Sequence, residues 1–510
     1  MRTCGRTLRS GASAAAIATV APLLVGGANA AVVISSGATQ NISCASGVCA
    51  PTAADAVLNA GDLETLLASG NVMVTTTGSG VQAKDIRVAG PVSWGTGSAL
   101  TLDAYQSLTI NRPVSLQGLA GLTLATDAGG NNGVLSFGHH GKVTFANLSS
   151  SLTINGTAYT LENSIKSLAA AVAANPSGAF ALANSYDAGQ DGTYTSVPIP
   201  TPFTGTFEGL GNAISHLSIN DANDTEVGLF AEIGVTGMLR DIHLVYASVT
   251  SMANDAVVGT LAGDSEGPIT NATSESASVS AGAAEAGGLV GCLACIDFLN
   301  PTILRSFASG IVEGSDTDSA VGGLVGFEER GNIMQSGADA KVSGVYGGGL
   351  AGRVEGSIDE SFAIGKVRGS SIAGGLIGDG GGTIANSYAT GTVKGTMSYT
   401  DVGGFAGVID FASVSDSYST GHVSGGKGGG SRGGFVGHVG EGTFTDCYWD
   451  TTTSGIVNRG AGNMKDEPGI TGLTSQQLQS GLPQGFEASV WGEAAGVNDG
   501  FPYLLDNPPR

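Results

Sequence analysis

Cysteine, histidine and carboxylate positions bound what chemistry this 510-residue chain can do. Cys44 and Cys49 are five apart, and Cys292 and Cys295 have the C-x-x-C spacing of half a zinc site. A structural zinc needs four ligands, and no second pair with matching spacing exists, so both short loops read as disulfides in an oxidising compartment. Cys4 falls in the N-terminal leader, which leaves Cys447 unpaired. It replaces serine in a repeated column and has no histidine near it in sequence, so it reads as a shielded structural thiol and not a nucleophile. His139-His140 lies between glycines and reads as a solvated turn, with metal binding as the sharper alternative.

Asp416 and Asp446 occupy the same column one repeat apart. Stacked on adjacent coils, their carboxyls would lie about 5 Å apart, close to the separation of retaining glycosidases. A cation or ligand column is a second reading. The favoured one is a bend, in which an Asx side chain holds its own backbone between two short strands. No residue pattern calls for a catalytic group, a cofactor or a bound metal. The glycine-rich run Gly425–Gly430 lacks the lysine-serine pair and the following helix of a phosphate loop.

The elements that position these side chains are set by a repeat. Glycine is 84 of 510 residues, about 16% against a usual 7%. Glycine lowers the stability of element interiors, so this many must serve tight turns and close backbone contacts. The signature Gly-Gly-apolar-x-Gly recurs at Gly287, Gly322, Gly348, Gly374, Gly403 and Gly433, preceded by degenerate copies at Val227 and Gly259. Successive copies are 26 to 35 residues apart, short of the roughly 40–45 of a propeller blade.

A second block keeps its own register. Taking Ser306, Ser336, Ser361, Ser387, Ser417 and Cys447 as one column, three residues earlier stand Ile303, Ile333, Ile358, Ile384, Val414 and Phe444. Six residues later stand Val312, Val342, Val367, Val393 and Val423, and one residue later Phe307, Gly337, Phe362, Tyr388, Tyr418 and Tyr448. Columns of like character at a fixed offset indicate a β-solenoid, each residue stacking on its equivalent about 4.8 Å away. Runs of 4–7 residues between glycines predict an all-β, right-handed parallel β-helix with about three strands per coil. The aromatic column is expected in the core, with an outward sugar-stacking face as the alternative. Between signature and serine column the offset is 18 in one repeat and 12 or 13 in the others, so Cys292–Asn300 reads as a loop excursion.

The pattern GGLIG…I-A-N-S-Y-A-T-G-T-V over Gly374–Val393 resembles the GLUG repeat of bacterial surface and secreted proteins, including filamentous-haemagglutinin-like adhesins. Phe203–Leu217 is similar to the lead-in of such arrays, and Tyr448–Gly455 with Trp491 and Gly500–Leu504 to their exit. The resemblance covers residues 200–505 and implies a secreted or cell-surface, non-enzymatic adhesin that binds host, matrix or glycan surfaces. A carbohydrate-active β-helix enzyme and a scaffold of a larger surface assembly are the alternatives.

Residues 1–30 read as an export signal: three arginines, an apolar stretch from Ala12 to Val25, and Ala28-Asn29-Ala30 for cleavage. Cys44 lies well beyond that stretch, which argues against a lipid anchor. Net charge is −22, which disfavours nucleic acid and anionic lipid. No later segment is long enough to insert in a membrane, so the mature chain is expected outside the cell, at its surface or in the periplasm. The expected organisation is signal 1–30, haemagglutinin-like β-helix 31–160, helical connection 161–200, repeat solenoid 201–455 and a C-terminal cap or tail 456–510. Short helices are predicted near Leu58–Gly70, over Leu161–Ala174 and at Ser475, and strands at Ala99–Asp103 and Ser107–Asn111.

Overall fold

The computed structural model describes residues 30–130, 132–282, 285–296, 300–315, 318–426 and 428–509. The predicted export signal, Ala30 excepted, and part of the predicted Cys292–Asn300 excursion lie outside the described residues.

The chain forms a parallel β-helix. Two sheets of 23 strands carry most of the coil walls, and smaller parallel sheets of five and three strands complete the N-terminal section. One coil shows the plan: strand Ala320–Gly322, then Val325–Glu328, Asn332–Met334 and Gly337–Gly348, whose last residues begin the next coil. Each pairs in register with the coil above, as in Val325↔Ala351, Ile333↔Ile358 and Gly337↔Phe362.

That coil of the repeat array has four strand segments, one more than the sequence predicts, whereas N-terminal coils such as Asp85–Val88, Val92–Trp94 and Ala99–Asp103 have the expected three. The extra corner is the glycine signature itself, which turns the chain sharply from one wall to the other. At Gly374 a β-carbon would strike the carbonyl of Ile377 and the backbone nitrogen of Gly407 on the next coil. Only glycine permits so close an approach.

Between the walls the isoleucine and valine columns are buried, together with the apolar third residue of each signature: Leu289, Leu324, Leu350, Leu376, Phe405 and Phe435. Each such side chain contributes roughly 1.5–3 kcal/mol by leaving water. Among the described residues the core between the walls divides into two clusters, one from Val32 to Leu161 with a few later residues and one from Ile165 to the last coils.

The first helix is Ala60–Ser69, capped by the Asn59 side chain and ended at Gly70. The second begins later than the sequence stripe indicates, at Ile165, because the Ser164 hydroxyl accepts from Ser167 N–H and caps it. Leu161 belongs to the preceding strand, Thr157–Glu162, yet is buried like Ile165, Leu168 and Val172. The predicted strands are Ala99–Asp103 and Leu108–Ile110.

The tail leaves the last coil after strand Ile470–Leu473, makes the helical turn Ser475–Leu478 under a Thr474–Gln477 capping box, and then runs back along the flank of the solenoid. Asn507 Nδ2 donates to the carbonyls of Ser336 and Glu360, each at 3.0 Å, several coils before the array ends. The tail is therefore a flank strap as well as a terminus.

Candidate functional site

One outward column of one wall decides what the surface offers. Register stacks Ala213, His243, Thr273, Phe307, Gly337, Phe362, Tyr388, Tyr418 and Tyr448. The next residue along each strand, from Ala308 to Ala389, sits in the core between the walls, so strand alternation turns the aromatic rings outward. They neither fill the solenoid core nor form an open face for sugars.

Instead the tail covers them. Phe307, Phe362, Tyr388, Tyr418 and Tyr448 form a separate buried cluster with Leu478, Phe486, Trp491 and Leu504. Tyr388 stacks 5.3 Å from both Phe362 and Tyr418, and Trp491 lies 5.9 Å from Tyr418. At Gly337 the gap is filled by the Phe362 ring. Tyr418 Oη donates to Pro502 O at 2.6 Å and accepts from Asn498 Nδ2 at 2.7 Å.

Upstream of Phe307 the same column is no longer aromatic: His243 is partly exposed and Thr273 is buried. A groove of about 1030 Å³ lies between the His139–Lys142 loop and this wall, lined among others by Phe137, His243, Thr273, Glu275 and Asp339. His139, His140, Glu275 and Asp339 are exposed. His243 Nδ1 and Thr273 Oγ1 share a 2.9 Å hydrogen bond.

Beside the groove, His216 and Tyr246 stack with ring centroids 5.6 Å apart, and Tyr246 is 58% exposed. His216 is held by a 2.9 Å hydrogen bond to Asp187 Oδ1, which keeps that carboxyl below its usual range. Aromatic faces next to hydroxyl, imidazole and carboxylate groups are suited to sugar rings, which present apolar faces and polar edges.

A second, smaller cleft of about 450 Å³ lies in the opposite wall. Arg353 stands over the Phe327 ring at 5.2 Å and pairs with Glu355 at 3.0 Å. Asp379 and Asp410 complete it, with Phe411 73% exposed at its rim. Burial pushes the Asp379 carboxyl up, Arg353 draws it down, and Asp410 and Glu355 push it up again.

Asp416 and Asp446 lie elsewhere. They end a column of left-handed corners that runs through Asp241, Asn271, Arg305, Gln335, Glu360 and Asn386, all with φ between 44° and 53°. The tail packs against this end too: a β-carbon at Gly485 would meet both partly exposed Asp side chains. Burial raises the Asp416 pKa, and the charges of Asp446 and Glu487 add to it.

The serines after these corners are structural. Each hydroxyl accepts the N–H of the preceding coil, as in Ser361 N to Ser387 Oγ at 3.2 Å, and donates two residues back, as in Ser387 Oγ to Ala385 O at 2.6 Å. Cys447 ends the ladder with 3.4 Å bonds to Thr445 O and Val414 O, and burial pushes its thiol up to about 12.

Cys44 and Cys49 face each other across a hairpin and are bonded, with Cα atoms 4.0 Å apart. Cys292 and Cys295 are bonded as well. What the sequence reading missed is their neighbour. The residue just after the glycine signature forms a column of its own: Glu232, Asp264, Cys292, Phe327, Arg353, Asp379, Val408 and His438. Aligning the residue after each signature copy would have found it. Asp264, 2% exposed, therefore stacks beneath Cys292, and burial with repulsion from Glu266, Glu232 and Glu226 pushes it up to about 8.

No helix among the described residues is long and apolar enough to cross a membrane. No family model matches the chain. Over 89 residues it is 44% identical to Halomucin of Haloquadratum walsbyi, a stretch covering 18% of this chain and 1% of that protein. A solved structure of a proposed immunoglobulin A1 protease from Bacteroides ovatus aligns over 69% of this chain and 92% of that one. Its identity is 17% and its TM-score 0.31, too low to bear on function.

Proposed function

We propose that the chain is an exported, surface-associated β-solenoid with a non-enzymatic, adhesin-like role, and that its groove at His139–Lys142 and His243 binds a glycan. The observation that carries this is the division of the outward column: from Phe362 on its aromatic rings are covered by the tail, while His243, Thr273 and Phe307 line the groove near the exposed His216–Tyr246 stack. The likeness of the repeats to GLUG arrays supports the same reading. Screening the purified chain on a glycan array, with cell and supernatant fractions probed for its location, tests it. Binding to polysaccharide and recovery at the surface or in the medium are expected. Absence from both fractions would defeat the adhesin role.

One observation favours a second reading, a carbohydrate-active enzyme: the cleft where Arg353 meets Glu355, Asp379 and Asp410. Acids beside a cation are a plausible acid–base set. Under that reading, acidic polysaccharides incubated with the protein shorten, and Asp379→Asn abolishes the shortening.

A further inference from the structure

The disulfide accounts for Cys292 and Cys295 but not for the acids packed around them. One carboxylate oxygen of Asp264 and the sulfurs of Cys292 and Cys295 all lie within 4.8 Å of one another. Asp264 is 2% exposed, and neither of its oxygens has a hydrogen-bond partner. Glu266, also 2% exposed, accepts from Ile296 N–H through Oε1 at 2.7 Å and leaves Oε2 unpartnered.

Three buried acceptor oxygens without donors are costly, because nothing replaces the water they lost. A disulfide cannot help, since its sulfurs donate no proton. A cation would satisfy Asp264 and would also explain why its carboxylate lies against a C-x-x-C pair.

We propose that Cys292, Cys295 and Asp264 form a redox-gated site for a divalent cation of zinc type, closed as the disulfide and opened by reduction. A dithiol reductant delivers two electrons and two protons, breaking the S–S bond to give two thiols and becoming a disulfide itself. The incoming ion then displaces both thiol protons, and the proton carried by Asp264, to solvent and is held by two thiolates and the Asp264 carboxylate. Two thiolates with one hard oxygen suit a borderline-soft ion such as zinc over calcium or magnesium. Three protein ligands leave one tetrahedral position for a water.

Cobalt(II) is the probe, because thiolate ligation gives it a sulfur-to-metal charge-transfer absorption. The full chain carries Cys4→Ser, Cys44→Ser, Cys49→Ser and Cys447→Ser, so that only this pair can respond. After reduction and removal of the reductant, one equivalent of cobalt with that absorption is expected, displaced by zinc, and none in the oxidised chain. Asp264→Asn should weaken binding tenfold or more while circular dichroism keeps its β signature. Should the background variant fail to fold, the comparison is made on the wild-type chain, where alkylation of the reduced cysteines must be slowed by zinc at Cys292 and Cys295 and not at Cys44 and Cys49. A reduced chain that binds no cobalt, equal binding in both redox states, or unchanged affinity in Asp264→Asn would overturn the site.

Discussion

The coils before and after Phe307 are built on one register yet differ in almost everything outside the backbone. After it, the outward column is aromatic, the corner is followed by the serine ladder, and the tail lies over both. Before it, the corresponding residues are His243 and Thr273 in the outward column, and Ile242 and Ala272 where the serines would stand. A solenoid coil thus fixes positions and leaves their chemistry free. Where the column is apolar, a strap is needed to keep it from water, and where it is polar the wall can face a ligand.

The largest effect that separates the halves should come from the strap. Trp491→Ala removes the ring that packs on Tyr388 and Tyr418 and is expected to lower unfolding free energy by about 3–5 kcal/mol. Tyr246→Ala, on the open half, should change it by less than about 0.5 kcal/mol. Chemical denaturation of both variants measures the difference, and equal losses would break the comparison.

Stability should also depend on pH through the covered coils. Burial raises the Glu328 carboxyl to about 8, although its Oε2 accepts from Gly356 N–H at 2.8 Å. Its folded pKa lies above the unfolded value, so the folded state holds the extra proton. The resulting stability is fully present below the unfolded pKa and lost as pH rises through about 8. Glu328→Gln keeps the acceptor without the charge. It should flatten the decline between pH 5 and 8.5 and gain on the order of 2 kcal/mol at the upper end. An unchanged pH profile of the thermal midpoint would contradict this.

A smaller effect tests the ladder. Ser387→Ala leaves Ser361 N–H without its acceptor and should cost about 1–3 kcal/mol. Ser387→Cys should cost less, since Cys447 fills the same role in the last coil.

Much of this architecture was legible in the residues. The glycine signature, the Ile and Val columns and the serine column each recur at fixed offsets, and those offsets become the coil register. The fourth strand segment was not legible, because a Gly-Gly corner and a Gly-Gly strand end look alike in sequence. The direction of the aromatic column was hidden for another reason. Alternation says which residues share a face but not whether a distant segment, here Leu478 to Leu504, covers it. Likewise the C-x-x-C pair gave only half a ligand set, since Asp264 reaches it by stacking from the coil beneath.

The most direct test of the central claim is glycan binding by the wild-type chain beside three variants: His243→Ala and Tyr246→Ala at the groove, and Phe411→Ala at the rim of the acid cleft. Binding lost in the first two and kept in the third is the predicted result. Binding that survives both groove changes and disappears with Phe411→Ala would contradict the account and move the function to the Arg353 cleft.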